Sequence, residues 1–301
     1  MSETPVIEIE RLRKFYKGKH RGIDGVDLEI YQGEIFGFLG PNGAGKTTTI
    51  RILLDLIRAD SGNARVFGLD IHRDSEEIRR RTGYLPGEQG FYENVVAREM
   101  VEYFGALCGT IDSEIVRELT ERLGIDLSRR IREYSKGNKQ KLGILLAFLF
   151  DPELVILDEP TSGLDPLHQK ELYEFIAEES RKGRTIFMSS HVLSEVDRVC
   201  DRVGIIREGK IVAVERIETL KDKMGQIVTV HFDEEFNEDD FRLPGVSKIE
   251  SDGRTLLLHI TGNYDGILKA LSQYKITKFL AEEYSLDNLF LEYYEGNEHH
   301  E

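Results

Sequence analysis

The chain has 301 residues, with 40 Lys and Arg against 55 Asp and Glu, a formal net charge of −15. At 40% hydrophobic and 32% charged residues it holds enough apolar material for a packed core, as one large domain with a small one or as two of middling size. The acidic balance excludes a nucleic-acid binder held by a general basic face. Two cysteines, Cys108 and Cys200, lie far apart in unlike contexts and suggest neither a disulfide framework nor a metal site.

The opening stretch, MSETPVIEIE, is acidic and lacks the basic-then-apolar pattern of a secretory signal, so the expected compartment is the cytosol. Short β-branched runs then alternate with longer helical patterns, which predicts a mostly parallel sheet covered by helices. Strands are expected at 6–9, 26–30 and 34–39, then at 154–157, 185–189 and 203–207. Between 83 and 152 the strand signal gives way to helical patterns at 98–107, 115–123 and 136–150. This predicts a helical subdomain, residues 84–150, inserted into an α/β core. The longest apolar run, 142–150, contains Gly143 and falls far short of the roughly 20 residues of a bilayer span, so it reads as a buried helix.

From residue 227 the pattern is that of a small α+β unit, with strands near 227–232, 246–249 and 255–260 and a helix at 264–274. Residues 226–301 carry 16 acidic and 6 basic side chains, and this shift marks a domain boundary near Met224–Gly225. The expected domains are therefore 1–224 and 225–301.

The expected strand 34–39 runs straight into Gly40-Pro41-Asn42-Gly43-Ala44-Gly45-Lys46-Thr47-Thr48, followed by an apolar helix. This is G-x-x-x-x-G-K-[ST] in a strand–loop–helix setting. Glycines let backbone N–H groups turn inward around phosphate oxygens, and the helix adds its positive end. Lys46 is placed to reach the β- and γ-phosphates, and the Thr47 hydroxyl to complete a Mg²⁺ shell. The strand 154–157 ends in Asp158-Glu159, and in a parallel sheet ligands lie beyond strand carboxyl ends, beside that loop. Asp158 is assigned to Mg²⁺ through its waters and Glu159 to polarising the attacking water as general base. His191, after the strand 185–189, is a candidate for contacting the γ-phosphate.

In order, the chain carries GPNGAGKTT at 40–48, YSKGNKQ at 134–140, LVILDEP at 154–160, SGLDP at 162–166 and SSH at 189–191. Over about its first 220 residues it resembles the nucleotide-binding subunits of ATP-binding cassette (ABC) transporters. The resemblance implies a P-loop NTPase core, ATP with Mg²⁺, and two copies packed head to tail. Each ATP is then held between the phosphate loop of one copy and the signature segment of the other. The signature, usually L-S-G-G-Q, is here Tyr134-Ser135-Lys136-Gly137-Asn138; it keeps Ser135 and Gly137, whose hydroxyl and N–H can meet a γ-phosphate. Asp165 of SGLDP is a further nucleotide contact on the same grounds. Family members also stack adenine on an aromatic ahead of the loop; Tyr16 fits, with Phe15 the alternative. The family's glutamine after a proline is replaced by Gly87 in Gly83-Tyr84-Leu85-Pro86-Gly87-Glu88-Gln89. Either Gln89 takes the role through a shift of the loop, or the role is lost.

The ending at 284–294 is similar to that of exporter-type subunits whose membrane protein is a separate six-helix permease. The resemblance thus implies an ATPase at the inner face of the cell membrane that energises export through such a partner, with no nucleic acid involved. The competing class is a soluble ABC-type ATPase that remodels a cytosolic partner.

Overall fold

The computed structural model of the chain describes residues 4–16, 21–109, 111–224, 226–261 and 264–283. They form two compact units, Met1–Glu215 and Arg216–Glu301. Up to their junction the strands are β1 (Pro5–Phe15), β2 (Arg21–Tyr31), β3 (Ile35–Leu39), β4 (Ser61–Val66), β5 (Leu69–Asp70), β6 (Thr82–Leu85), β7 (Leu154–Asp158), β8 (Thr185–Ser190), β9 (Arg202–Arg207) and β10 (Lys210–Arg216). The helices are α1 (Lys46–Leu53), α2 (Ser75–Arg80), α3 (Ala97–Cys108), α4 (Ser113–Leu123), α5 (Lys136–Phe148), α6 (Pro166–Arg181) and α7 (Leu193–Val199).

The central sheet has the order β10-β9-β3-β8-β7-β6, and β9, β3, β8, β7 and β6 run parallel to their neighbours. β3, β7 and β8 are buried along their whole length, which is why they read as continuous apolar runs rather than alternating ones. Phe187 of β8 packs against Phe36 and Phe38 of β3, with ring centroids 6.1 and 5.5 Å apart. Because β8 lies between β3 and β7, its end separates the glycine-rich loop from the acidic pair. The register sets Ser190 beside Leu39 and Ser189 beside Asp158.

The strands expected at 6–9 and 26–30 do not join this sheet. β1 and β2 pair antiparallel, β1 pairs antiparallel with β4, and together with β5 they form a separate sheet ordered β2-β1-β4-β5. Their physical signature is one buried face: Ile7, Ile9 and Leu12 point inward, with a register shift at Arg11, whose φ is 46°. β6 also occupies part of the stretch read as free of strands, pairing parallel with β7. The helical insert therefore begins after Leu85. Within it, the Asp112 carboxylate caps α4 by accepting from the N–H groups of Glu114 and Ile115, and Gly124 at φ 60° ends the helix. α5 stops at Phe148, whose ring meets Phe175 of α6 edge-on at 4.9 Å.

The second unit opens with α8 (Ile217–Met224), so the compact units part ahead of the composition shift at Met224–Gly225. It continues with β11 (Gln226–Phe232), β12 (Val246–Asp252), β13 (Thr255–Ile260), α9 (Tyr264–Leu271) and β14 (Ile276–Glu283). The strands make an antiparallel sheet in the order β12-β13-β11-β14. Its core is Val230, Leu256, Leu258 and an aromatic cluster in which Phe232 lies 4.5 Å from Phe236 and 5.5 Å from Tyr274. The helix expected to reach 274 ends at Leu271, and β14 is a strand that the pattern did not announce. The segment 284–294, on which part of the resemblance rests, lies outside the described residues. Among the described residues no helix is long and apolar enough to cross a membrane.

Candidate functional site

The buried strand β3 feeds a loop that turns into α1 at Gly45, which has φ 114° and caps the helix without any side-chain hydrogen bond. The amide donors of the first turn are thus left to something outside the helix. A Cβ at Gly45 would come within 2.6 Å of the Gly22 carbonyl, and one at Gly40 within 2.3 Å of the Ile206 carbonyl, so both positions accept glycine alone. Lys46 is only 4% exposed, and its ammonium donates to the carbonyls of Gly40 (2.6 Å) and Pro41 (3.1 Å). Burial pushes its pKa below the usual lysine value, against the pull of the Glu159 and Asp158 charges.

Asp158, at the end of β7, is 1% exposed and accepts from Thr47 Oγ1 at 2.8 Å and from Ser189 Oγ at 2.5 Å. The next residue, Glu159, has φ 52°, a left-handed conformation that costs a side-chain-bearing residue about 1–3 kcal/mol. It aims the carboxylate back over the loop: Oε1 lies 3.8 Å from Lys46 Nζ and 3.2 Å from His191 Nδ1. The Glu159 N–H donates to Ser189 Oγ at 3.0 Å. The structure thus brings Lys46, Thr47, Asp158, Glu159 and His191 together.

Around them are two adjoining cavities that share Thr47 and Glu159. One, of about 340 Å³, is bounded by Asn42, Gly43 and Gly45 to Thr48, with Tyr16 and Gly22 beside them. Tyr16 lies against Gly22, its hydroxyl 3.5 Å from Thr48 Oγ1. Phe15 does not line this cavity; its N–H donates to Asp60. Gly40 and Ala44 do not line it either; they pack behind the loop, the Gly40 N–H donating to Ser190 and the Ala44 carbonyl accepting from Gly209. The other cavity, of about 790 Å³, adds Asp158, Gly87, Gln89 and Lys136. A separate cleft of about 580 Å³ at the amino ends of β7 and β8 has its charges already paired, Arg81 with Glu153 and Arg184 with Asp151.

The remaining expected contacts are engaged within the chain. A Cβ at Gly87 would stand 3.4 Å from Asp158 Oδ2, so position 87 faces the carboxylate but offers no side chain. Gln89 lines the second cavity with Asp158, and its amide donates to Gln140 Oε1 of α5 at 2.6 Å. Ser135 caps α5 by accepting from the Asn138 N–H at 3.2 Å, which leaves its own hydroxyl hydrogen free to donate. Gly137 lets α5 approach the loop after Glu159, since a Cβ there would come within 2.5 Å of the Gly163 carbonyl. Asp165 caps α6 through the N–H groups of Leu167 and His168, and these bonds, with the His168 ring at 2.6 Å, hold its pKa below the usual carboxylate value. The sequence assigned no role to Ser189, Gln140 or Glu195, although Ser189 opens SSH and Gln140 ends YSKGNKQ. Glu195 of α7 accepts from Ser190 and Thr161 at 2.5 Å each, tying the end of β8 to the loop beyond Glu159.

A family model described as ABC transporter matches residues 23–162. The bacitracin transport ATP-binding protein BcrA of Bacillus licheniformis is 41% identical over 223 residues, 73% of this chain and 72% of that protein. The uncharacterized ABC transporter ATP-binding protein YhaQ of Bacillus subtilis is 34% identical over 300 residues, 95% of this chain and 98% of that one, so its similarity extends through the second unit. A solved structure of an ATP binding subunit of an ABC transporter superposes with a TM-score of 0.66 at 31% identity, covering 72% of this chain and 92% of that one. The chain belongs to the ABC transporter family, as an ATP-binding subunit.

Among the described residues no group of three or more His, Cys, Asp or Glu could hold a metal ion. The donor set does fit Mg²⁺, which is commonly held by one or two protein oxygens completed by phosphates and water. Thr47 Oγ1 and Asp158 Oδ2, 2.8 Å apart, supply such a pair.

Proposed function

We propose that the chain is the ATPase subunit of an exporter, its first unit being the nucleotide-binding domain and its second an accessory domain. The observation that carries this is the convergence of Lys46, Thr47, Asp158, Glu159 and His191 through direct contacts beside the glycine-rich loop, with Tyr16 lining the same cavity as Lys46, Thr47 and Glu159. Lys46 brings positive charge to the β- and γ-phosphates, and the open amides of Gly43 and Gly45 with the start of α1 cradle them. Thr47 and Asp158 would hold Mg²⁺, which would supply positive charge for the phosphate oxygens. Glu159 takes up a proton from the attacking water, and His191, with its proton on Nδ1, donates to Glu159 and fixes its orientation. Ser135, Gly137 and Asp165 of a second copy complete the site, and closure of the two copies drives a separate permease at the inner face of the membrane. Export is supported by the likeness to BcrA, which is named for bacitracin transport.

Glu159→Gln is expected to keep ATP affinity while turnover falls by about 100-fold or more, since the base is lost and the binding groups remain. Lys46→Ala is expected to weaken nucleotide binding itself. Wild-type turnover in Glu159→Gln would remove Glu159 from the chemistry. The transporter reading is tested by recovering tagged Glu159→Gln with Mg-ATP from detergent-solubilised membranes and identifying bound chains by mass spectrometry. One stoichiometric polytopic protein is the expected partner; soluble partners alone would overturn the reading.

A further inference from the structure

We infer that Gln140 is a positioning residue for Glu159, and that Gln89 acts on the hydrolytic site only through it, an inference that rests on the ATPase reading above. Gln140 is 1% exposed, one turn into α5. Its nitrogen lies 3.1 Å from the Glu159 carbonyl and 2.9 Å from the Pro160 carbonyl. Both groups can only accept, so the amide must present its N–H donors to them, and its oxygen is left for Gln89 Nε2 at 2.6 Å. The orientation of the whole chain of amides follows from that one constraint.

The consequence falls on a strained residue. Glu159 at φ 52° needs its surroundings to hold it. Ser189 Oγ fixes its N–H side, and Gln140 fixes its carbonyl side. Gln89 ties its own loop to α5: its second donor bond reaches the Pro86 carbonyl in that loop at 3.4 Å, and a Cβ on Gly143 of α5 would come within 3.3 Å of its nitrogen. A displacement of the loop around Gln89 or of α5 therefore reaches the Glu159 turn through Gln140, without Gln89 touching Asp158.

The test uses the purified full chain and steady-state ATP hydrolysis. Gln140→Leu is expected to lower kcat by about 10- to 100-fold with KM for ATP changed by less than about threefold, since positioning acts on the reacting group rather than on binding. Gln89→Leu is expected to act in the same direction, and the double variant to be no slower than Gln140→Leu alone. Gln140→Glu keeps the shape but turns a carboxylate toward two carbonyls. Its kcat relative to wild type is expected to recover as pH falls and the acid gains a proton to donate, while the folded fraction, followed by circular dichroism over the same pH range, stays level. Unchanged kcat in Gln140→Leu, or multiplying effects in the double variant, would overturn the inference. Hydrogen exchange at Ser162, whose N–H shares the Glu159 carbonyl with Gln140, separates the two readings. A wild type without ATPase activity overturns the parent reading, whereas unchanged Ser162 exchange in Gln140→Leu, measured without nucleotide, overturns this one.

Discussion

Glycines of the loop differ in what they are for, and the difference is measurable. Gly43 has φ 82° but open space around its missing Cβ, so Gly43→Ala is expected to cost only about 1–2 kcal/mol of backbone strain. Gly45→Ala adds to its own strain a collision with the Gly22 carbonyl and is expected to abolish nucleotide binding. Equal affinities for the two variants in a nucleotide titration would contradict this distinction. The same scale shows what was legible in the sequence. Asp158, Glu159 and His191 sit at or just past strand ends, and Lys46 and Thr47 open the helix after the loop that follows β3, each within a short motif, so their neighbourhood followed from the parallel sheet. Gln140, although it ends the YSKGNKQ segment, and Glu195 gave no sign of their partners, because a helix's buried amide and a carboxylate at the foot of another helix acquire partners only when distant strands come together. The left-handed turn at Glu159 was equally invisible, since nothing in glutamate favours it.

Among the elements, the helical insert depends on α5, whose residues from Gln140 to Phe148 are buried except Leu146. Phe148→Ala removes the edge-on contact with Phe175 and is expected to cost about 3–5 kcal/mol, readable as a lower denaturant midpoint. A shift under about 1 kcal/mol would show that α5 is not packed as described. Turn and helix-start carboxylates set the response to acid. Asp60, Asp70 and Asp165 are all held below the usual carboxylate pKa, chiefly by backbone N–H groups of Phe15, Arg73 and His168 respectively. Their folded pKa values lie below the unfolded ones, so in that window the unfolded chain binds more protons. The stability they contribute is present above the ordinary carboxylate range and is lost as pH falls through the folded values. A Tm that stays level from about pH 5 to about pH 3 would contradict this, because ordinary carboxylates titrate near 4. Element types were legible where burial was uniform, as in β3, β7 and β8. The antiparallel β1–β2–β4 sheet was not separated from the core, because the sequence marks a one-faced strand by alternation but does not say which sheet it joins. β14 escaped because its residues are largely exposed and lack any periodic apolar face.

For the whole molecule, charge is divided as unevenly as structure. Of the net −15, residues 226–301 contribute 16 acidic against 6 basic side chains, so the part that carries the phosphate loop is nearly balanced. That suits the proposed binding of an anionic nucleotide and then of a second copy. The chain supplies one phosphate loop and one Ser135–Gly137 segment, and in the proposed dimer the segment that faces each loop comes from the other molecule. The most direct measurement is the solution mass of Glu159→Gln with and without Mg-ATP. A monomer of 34.5 kDa is expected to double in mass when ATP is bound and to return when it is removed. A variant that binds ATP tightly and stays at the monomer mass would contradict it.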